Sequence, residues 1–135
     1  MEMIKLNKEV DMGIVILGYL FERGEKASAS EIARTLKLPR PWVRKVLKRM
    51  ARARLIRSFP GRVGGYQMAP RTKNVPLVAL VELFQGPIAL TLCSTRKGSC
   101  QNARRCSTLP AIRALNRKIH DAFASVKVGR ILENA

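Results

Sequence analysis

Residues 41–54 read PWVRKVLKRMARAR, and this stretch decides the fold. Val43, Val46, Leu47, Met50 and Ala51 recur at three- and four-residue spacing, which predicts a helix with one apolar stripe. Trp42, Arg44, Lys45, Lys48, Arg49 and Arg52 take the rest of its circumference. Pro41 suits the first helical position, where its missing N–H costs nothing, so the helix is expected from Pro41 to about Arg54. Just upstream, Ser28 and Glu31 stand as a capping box and open a short helix with Ile32, Ala33 and Leu36 on its apolar face. Lys37-Leu38-Pro39-Arg40 is the tight connection between the two. A short helix, a turn and a second helix that is apolar inside and cationic outside form the helix-turn-helix pattern.

Working outward, Leu55–Phe59 reads as a strand and Gly65–Met68 as its return, with turn chemistry in Pro60-Gly61-Arg62-Val63-Gly64 between them. A basic-tipped hairpin directly after a recognition helix is a wing, and Arg62 at its tip is placed to reach a minor groove or a phosphate. On the other side, Val10, Ile14, Leu17 and Phe21 predict a first helix over Lys8–Arg23, ended by Gly24. Pro70–Asn74 is expected to be a linker, followed by a helix from Leu77 to about Phe84. Beyond a loop from Ile88 to Leu109, Pro110 starts a last long helix with a seam of Ile112, Leu115, Ile119, Ala122, Phe123 and Val126. An intrachain contact would explain that seam, but the loop is expected to lead the helix away, so dimerisation is favoured. The fold class is therefore mainly α with a small β-wing: a winged helix-turn-helix domain at 1–75 and a cysteine-loop and dimerisation region at 76–135.

Charge sorts the functions. The 135 residues hold 26 lysines and arginines against 9 acids, a formal charge of +17. Between Glu31 and Glu82 lie thirteen cations and no carboxylate, so neighbouring salt bridges cannot neutralise them. Such an excess points to a polyanion, with nucleic acid ahead of an anionic membrane surface and of an RNA-packaging role. No apolar run approaches the roughly 18 residues of a membrane span, and Met1–Asn7 lacks a signal-peptide layout, so a cytoplasmic protein is expected. One histidine and nine acids offer no nucleophile–base–acid arrangement, so an enzyme is not expected.

All three cysteines, Cys93, Cys100 and Cys106, fall in one loop with the spacing C-x6-C-x5-C. Their neighbours include Arg96, Lys97, Arg104 and Arg105, and a cationic setting favours the thiolate, which ligates metals and reacts with oxidants. Three thiolates in a loop suit an iron–sulfur cluster or, less well, zinc, whose structural sites commonly use paired C-x2-C spacing. A regulatory disulfide with one spare thiol and a purely structural role stay open.

With wing and cysteine loop together, the chain resembles the Rrf-two family of winged-helix regulators from Lys5 to about Leu132. The resemblance rests on the helix-turn-helix, Gly64-Gly65-Tyr66 in the wing, the helix before Gly86-Pro87 and the three-cysteine loop. The run from Glu82 to Cys93 is most similar to a branch of SUF-type iron–sulfur assembly regulators. The resemblance implies a [2Fe–2S] or [4Fe–4S] cluster on Cys93, Cys100 and Cys106, and a homodimer joined by the last helix. The IscR-like branch completes the ligand set with a histidine after the third cysteine, where this chain has Leu109. The NsrR-like branch uses an aspartate of the partner's first helix, which nominates Asp11 here. The family's wing often carries arginine before its first glycine; this chain has Pro60, so Arg57 or Arg62 must take that contact.

The expected protein is thus a dimeric regulator, a repressor by preference, whose operator affinity follows a cluster and whose genes serve cluster assembly. A thiol-redox or nitric-oxide-responsive repressor of the same fold is the alternative, and a non-specific nucleic-acid binder comes after it. Arg44 and Lys45 are the candidates for base edges, where a cation engages guanine O6 and N7. Arg40, Lys48, Arg49 and Arg52 are assigned to phosphates, and Trp42 to the sugar-phosphate backbone, to thymine methyls or to the turn between helices.

Overall fold

The computed structural model describes residues 5–90 and 105–133. Helix α1 spans Lys8–Arg23, capped by the Asn7 side chain, which accepts from the Val10 N–H, and closed by Gly24 at φ 68°. Helix α2 spans Ala29–Leu36; the Ser28 hydroxyl accepts from the Glu31 N–H at 3.1 Å, which is one half of the expected capping box. The Glu31 carboxylate faces Arg23 at 3.1 Å. Helix α3 spans Arg40–Arg52, so Pro39 is its cap residue and Pro41 stands at the second position rather than the first.

Helix α3 ends two residues before the expected Arg54, and the reason is local. Arg54 takes a left-handed conformation at φ 61°, Leu55 N–H donates to the Met50 carbonyl and Arg54 N–H to that of Ala51. This paired arrangement is a Schellman stop with arginine where glycine is usual. Arg71 completes it by donating to the Ala53 and Arg54 carbonyls at 2.7 and 3.1 Å.

Strands β1 (Ile56–Phe59) and β2 (Gly65–Met68) form the antiparallel wing, with Ile56 opposite Met68 and Phe59 opposite Gly65. Ala27 adds a single bridge to Tyr66, tying the wing to the α1–α2 connection. Here Gly65 is required twice over: its φ is 144°, and a Cβ would lie 2.7 Å from the Ala27 carbonyl oxygen. Pro70–Asn74 is not a linker but a 3-10 helix, whose buried Thr72 donates its hydroxyl to the Leu55 carbonyl at 2.7 Å.

Helix α4 (Leu77–Gln85) ends at Gly86, and α5 spans Leu109–Ser125. A short helix unforeseen in the sequence, α6 (Val128–Glu133), then returns to the winged core. Leu77 N–H donates to Val126 C=O and Val128 N–H to Val75 C=O, while Gly129 lies so close to Lys73 that a Cβ would meet its carbonyl oxygen at 2.8 Å. Val126 therefore belongs to this return and not to the α5 seam. The core runs across residue 75: Leu77, Leu80, Val81, Phe84, Val128 and Leu132 join the same cluster as Val10, Leu17, Val46 and Leu47. Helix α5 does not depart from this body. It lies against α4, with Phe123 packed on the core. Yet none of its residues is buried, and Leu115 is 48% exposed.

Candidate nucleic-acid interface and cysteine loop

Helix α3 divides cleanly. Val43, Val46, Leu47 and Met50 are buried, which fixes the helix's rotation about its axis. The opposite face carries Arg44, Lys48 and Arg52, four residues apart and hence in one row along the helix. All three are exposed, and among the described residues none is ion-paired. With Ser58 and Tyr66 of the wing and Ala29 of α2 they line an open groove of about 730 Å3. Arg40 is exposed at the amino end of α3 and donates to the Ser30 hydroxyl of α2. Arg57 is exposed on β1 and Arg62 at the wing tip, beside Val63, which is 91% exposed.

Two cations are placed otherwise. Arg49 is half-buried: its guanidinium meets the Glu9 carboxylate at 2.9 Å and the Leu83 carbonyl at 2.8 Å, and sits over the Phe84 ring. That side chain joins α3 to α1 and α4, so its assignment to phosphate gives way to a structural role. Lys45 Nζ lies 2.8 Å from the other Glu9 oxygen, although the lysine is 64% exposed. Glu9 is held below the usual carboxylate range, first by the Lys45 hydrogen bond and then by both cations, against an opposing contribution from burial. Trp42 is 46% exposed and shares a cleft with Asn7, Lys8 and Glu9 at the start of α1.

Of the three cysteines, Cys93 and Cys100 lie outside the described residues. Cys106 is half-buried just before α5, with Thr108 Oγ1 3.1 Å from its sulfur. The Thr108 hydroxyl, the Thr108 backbone and then the Leu109 backbone stabilise the thiolate and lower the thiol pKa. Asn116 of α5 accepts from the Leu90 N–H at 2.8 Å and donates to the Ile88 carbonyl at 3.0 Å, tying the chain entering the cysteine loop to the helix that follows it. Asp11 is exposed on α1, and His120 lies 3.4 Å from Glu82 and 3.5 Å from Asp121. Sequence reading missed Glu9 and Asn116. Neither sits in a motif, and their partners are remote in the chain.

A cationic helix face beside a wing, on a core that fixes both, is the arrangement of a winged helix-turn-helix domain. The match to known proteins goes further: residues 6–134 fit the family model Rrf2, described as an iron-dependent transcriptional regulator, and the chain belongs to that family. It is 23% identical over 93 residues to the HTH-type transcriptional regulator IscR of Vibrio campbellii, covering 69% of this chain and 55% of that protein. The fold is similar to that of CymR, the global cysteine regulator of B. subtilis, at 18% identity and a TM-score of 0.73 over 98% of this chain and 99% of that one. It is also similar to T. potens IscR, at 16% identity and a TM-score of 0.71 over 97% and 88% of the two chains. The chain spans 64% and 55% of the length of two curated relatives that it matches. No helix among the described residues is long and apolar enough to cross a membrane.

Proposed function

We propose that this regulator binds an operator as a homodimer, each subunit placing the amino half of α3 in a major groove and its wing beside the adjacent backbone. The observation that carries this is the row of Arg44, Lys48 and Arg52, not ion-paired among the described residues, facing the same groove as the wing. Arg44, nearest the amino end of that row, reads base edges; Arg40, Lys48, Arg52, Arg57 and Arg62 hold phosphates or the minor groove. Helix α5 supplies the dimer contact, consistent with an amphipathic helix that buries no residue within the described part of its own chain.

The switch in this reading is an iron–sulfur cluster held by Cys93, Cys100 and Cys106, with Asp11 of the partner subunit as fourth ligand. Support comes from the donor chemistry. Cys106 sits where hydrogen bonds favour the thiolate, the ligating form, and exposed Asp11 is open to a second chain. When bound, such a cluster would make the loop responsive to iron supply and oxidation. The chain's own part is to hold the loop's ends against α5 through Asn116 and Thr108. The regulated genes on this reading serve iron–sulfur assembly, with repression as the mode and the cytoplasm as the place.

The test is anaerobic purification with iron, sulfide and visible-absorption assays, followed by binding to a duplex selected from a random library before and after chelation. The expected protein is coloured, contains iron, and changes affinity when the metal is removed. A colourless, iron-free protein whose binding still depends on its cysteines would replace the cluster with thiol-redox control. Binding that selects no sequence would leave only a non-specific nucleic-acid binder.

A further inference from the structure

We propose that Glu9 sets DNA specificity by withdrawing Lys45 from the pool of phosphate-seeking cations on the recognition helix. The inference rests on α3 being the DNA-contacting element. The cations of α3 are held asymmetrically. Helix α3 contains no acid, and its outer row, Arg44, Lys48 and Arg52, has no ion pair among the described residues; the next cation round the helix, Lys45, is bound back to α1. Its partner is well held, because Glu9 is only 21% exposed and its second oxygen is gripped by Arg49. Arg49 is anchored in turn by the Leu83 carbonyl and the Phe84 ring of α4, so the carboxylate has little freedom to follow Lys45 outward. The lowered pKa keeps Glu9 ionised, and the pairing intact, at neutral pH.

Phosphate contacts raise affinity for every sequence alike, whereas base contacts separate one sequence from another. A recognition helix as basic as this one risks binding any duplex. Each cation removed from phosphate lowers non-specific affinity and leaves base readout by Arg44 in place. Glu9 does this for one lysine without touching DNA, which makes it a positioning residue.

The experiment measures the salt dependence of binding by the full chain to a mixed-sequence 30-base-pair duplex, for wild type, E9Q, K45M, E9Q/K45M and K48A. Each phosphate contact contributes about 0.9 to the slope of log affinity against log salt. E9Q is expected to steepen the slope by up to about 0.9 and to raise non-specific affinity severalfold near 0.1 M salt. K45M should leave the wild-type slope nearly unchanged, and E9Q/K45M should return to it. An E9Q slope equal to wild type overturns the proposal, as does K45M flattening the slope as much as K48A does. If E9Q does not fold, the comparison of K45M with K48A decides alone. If K48A itself leaves the slope unchanged, the DNA-face reading of α3 fails and takes the proposal with it; if K48A flattens the slope and E9Q does nothing, only the role of Glu9 fails.

Discussion

Helices α3 and α5 are both amphipathic, but their apolar sides meet different fates. On α3 the stripe of Val43, Val46, Leu47 and Met50 is buried by α1, α2 and the wing. On α5 the seam touches α4 only in part, and no residue is buried. The lesson is that a seam reports a partner without saying which chain provides it. For α3 the partner is the domain itself, and the helix is fixed with its cations outward. For α5 the proposal assigns the uncovered remainder to a second subunit.

Truncating each seam separates the two helices most sharply. Leu47→Ala should cost about 2–5 kcal/mol in chemical denaturation, as is usual for a fully buried leucine. Leu115→Ala, at 48% exposure, should change the stability of one subunit by no more than about 0.5 kcal/mol and show itself instead in sedimentation, as a weakened dimer. Equal losses of subunit stability would mean that α5 is packed as α3 is.

Next in size comes the outer side of α3. Arg44→Ala should weaken binding to the selected duplex by about 1–3 kcal/mol in an anisotropy titration, with relaxed preference at one base position. Lys48→Ala should weaken all duplexes alike and flatten the salt slope by about 0.9. A similar cost, about 1–3 kcal/mol of thermal stability, is expected of Gly129→Ala, because its methyl would press on the Lys73 backbone where α6 docks. An unchanged melting temperature would mean that α6 is not held against the 3-10 helix.

The smallest effect concerns pH. Glu9 has a folded pKa below its ordinary 4.5, so it stabilises the fold above that value and loses this contribution as pH falls through the lower, folded value. Stability measured down the acid limb should therefore fall less steeply for Glu9→Gln than for wild type below about pH 4.5. Parallel curves would mean that the Glu9 pairs contribute nothing to folding.

Much of this was legible because it is written locally. Helix α1 could be bounded from its periodicity and Gly24, and the wing from Gly61, Gly64 and Gly65, since turn chemistry is a property of adjacent residues. The face of α3 that carries charge followed from the phase of its apolar stripe. What escaped is decided by contacts between remote residues. Helix α6 has six residues, too few for a periodic signal, and exists because Val128 and Leu132 complete a core built from the other end of the chain. Arg54 breaks α3 in a conformation that arginine does not advertise, fixed by Arg71 from the far side of the wing. Arg49 and Lys45 looked like their neighbours in the charge run; Glu9, about 40 residues away, separates both from the row of Arg44, Lys48 and Arg52, and the Leu83 carbonyl holds Arg49 as well.

Whether α3 reads sequence through Arg44 is tested by duplex selection from a random library with wild-type protein and with Arg44→Ala in parallel. The wild type is expected to select a twofold-symmetric site with half-sites about one or two helical turns apart, and the variant to lose preference at one position in each half-site. The same consensus from both proteins would contradict base reading by Arg44.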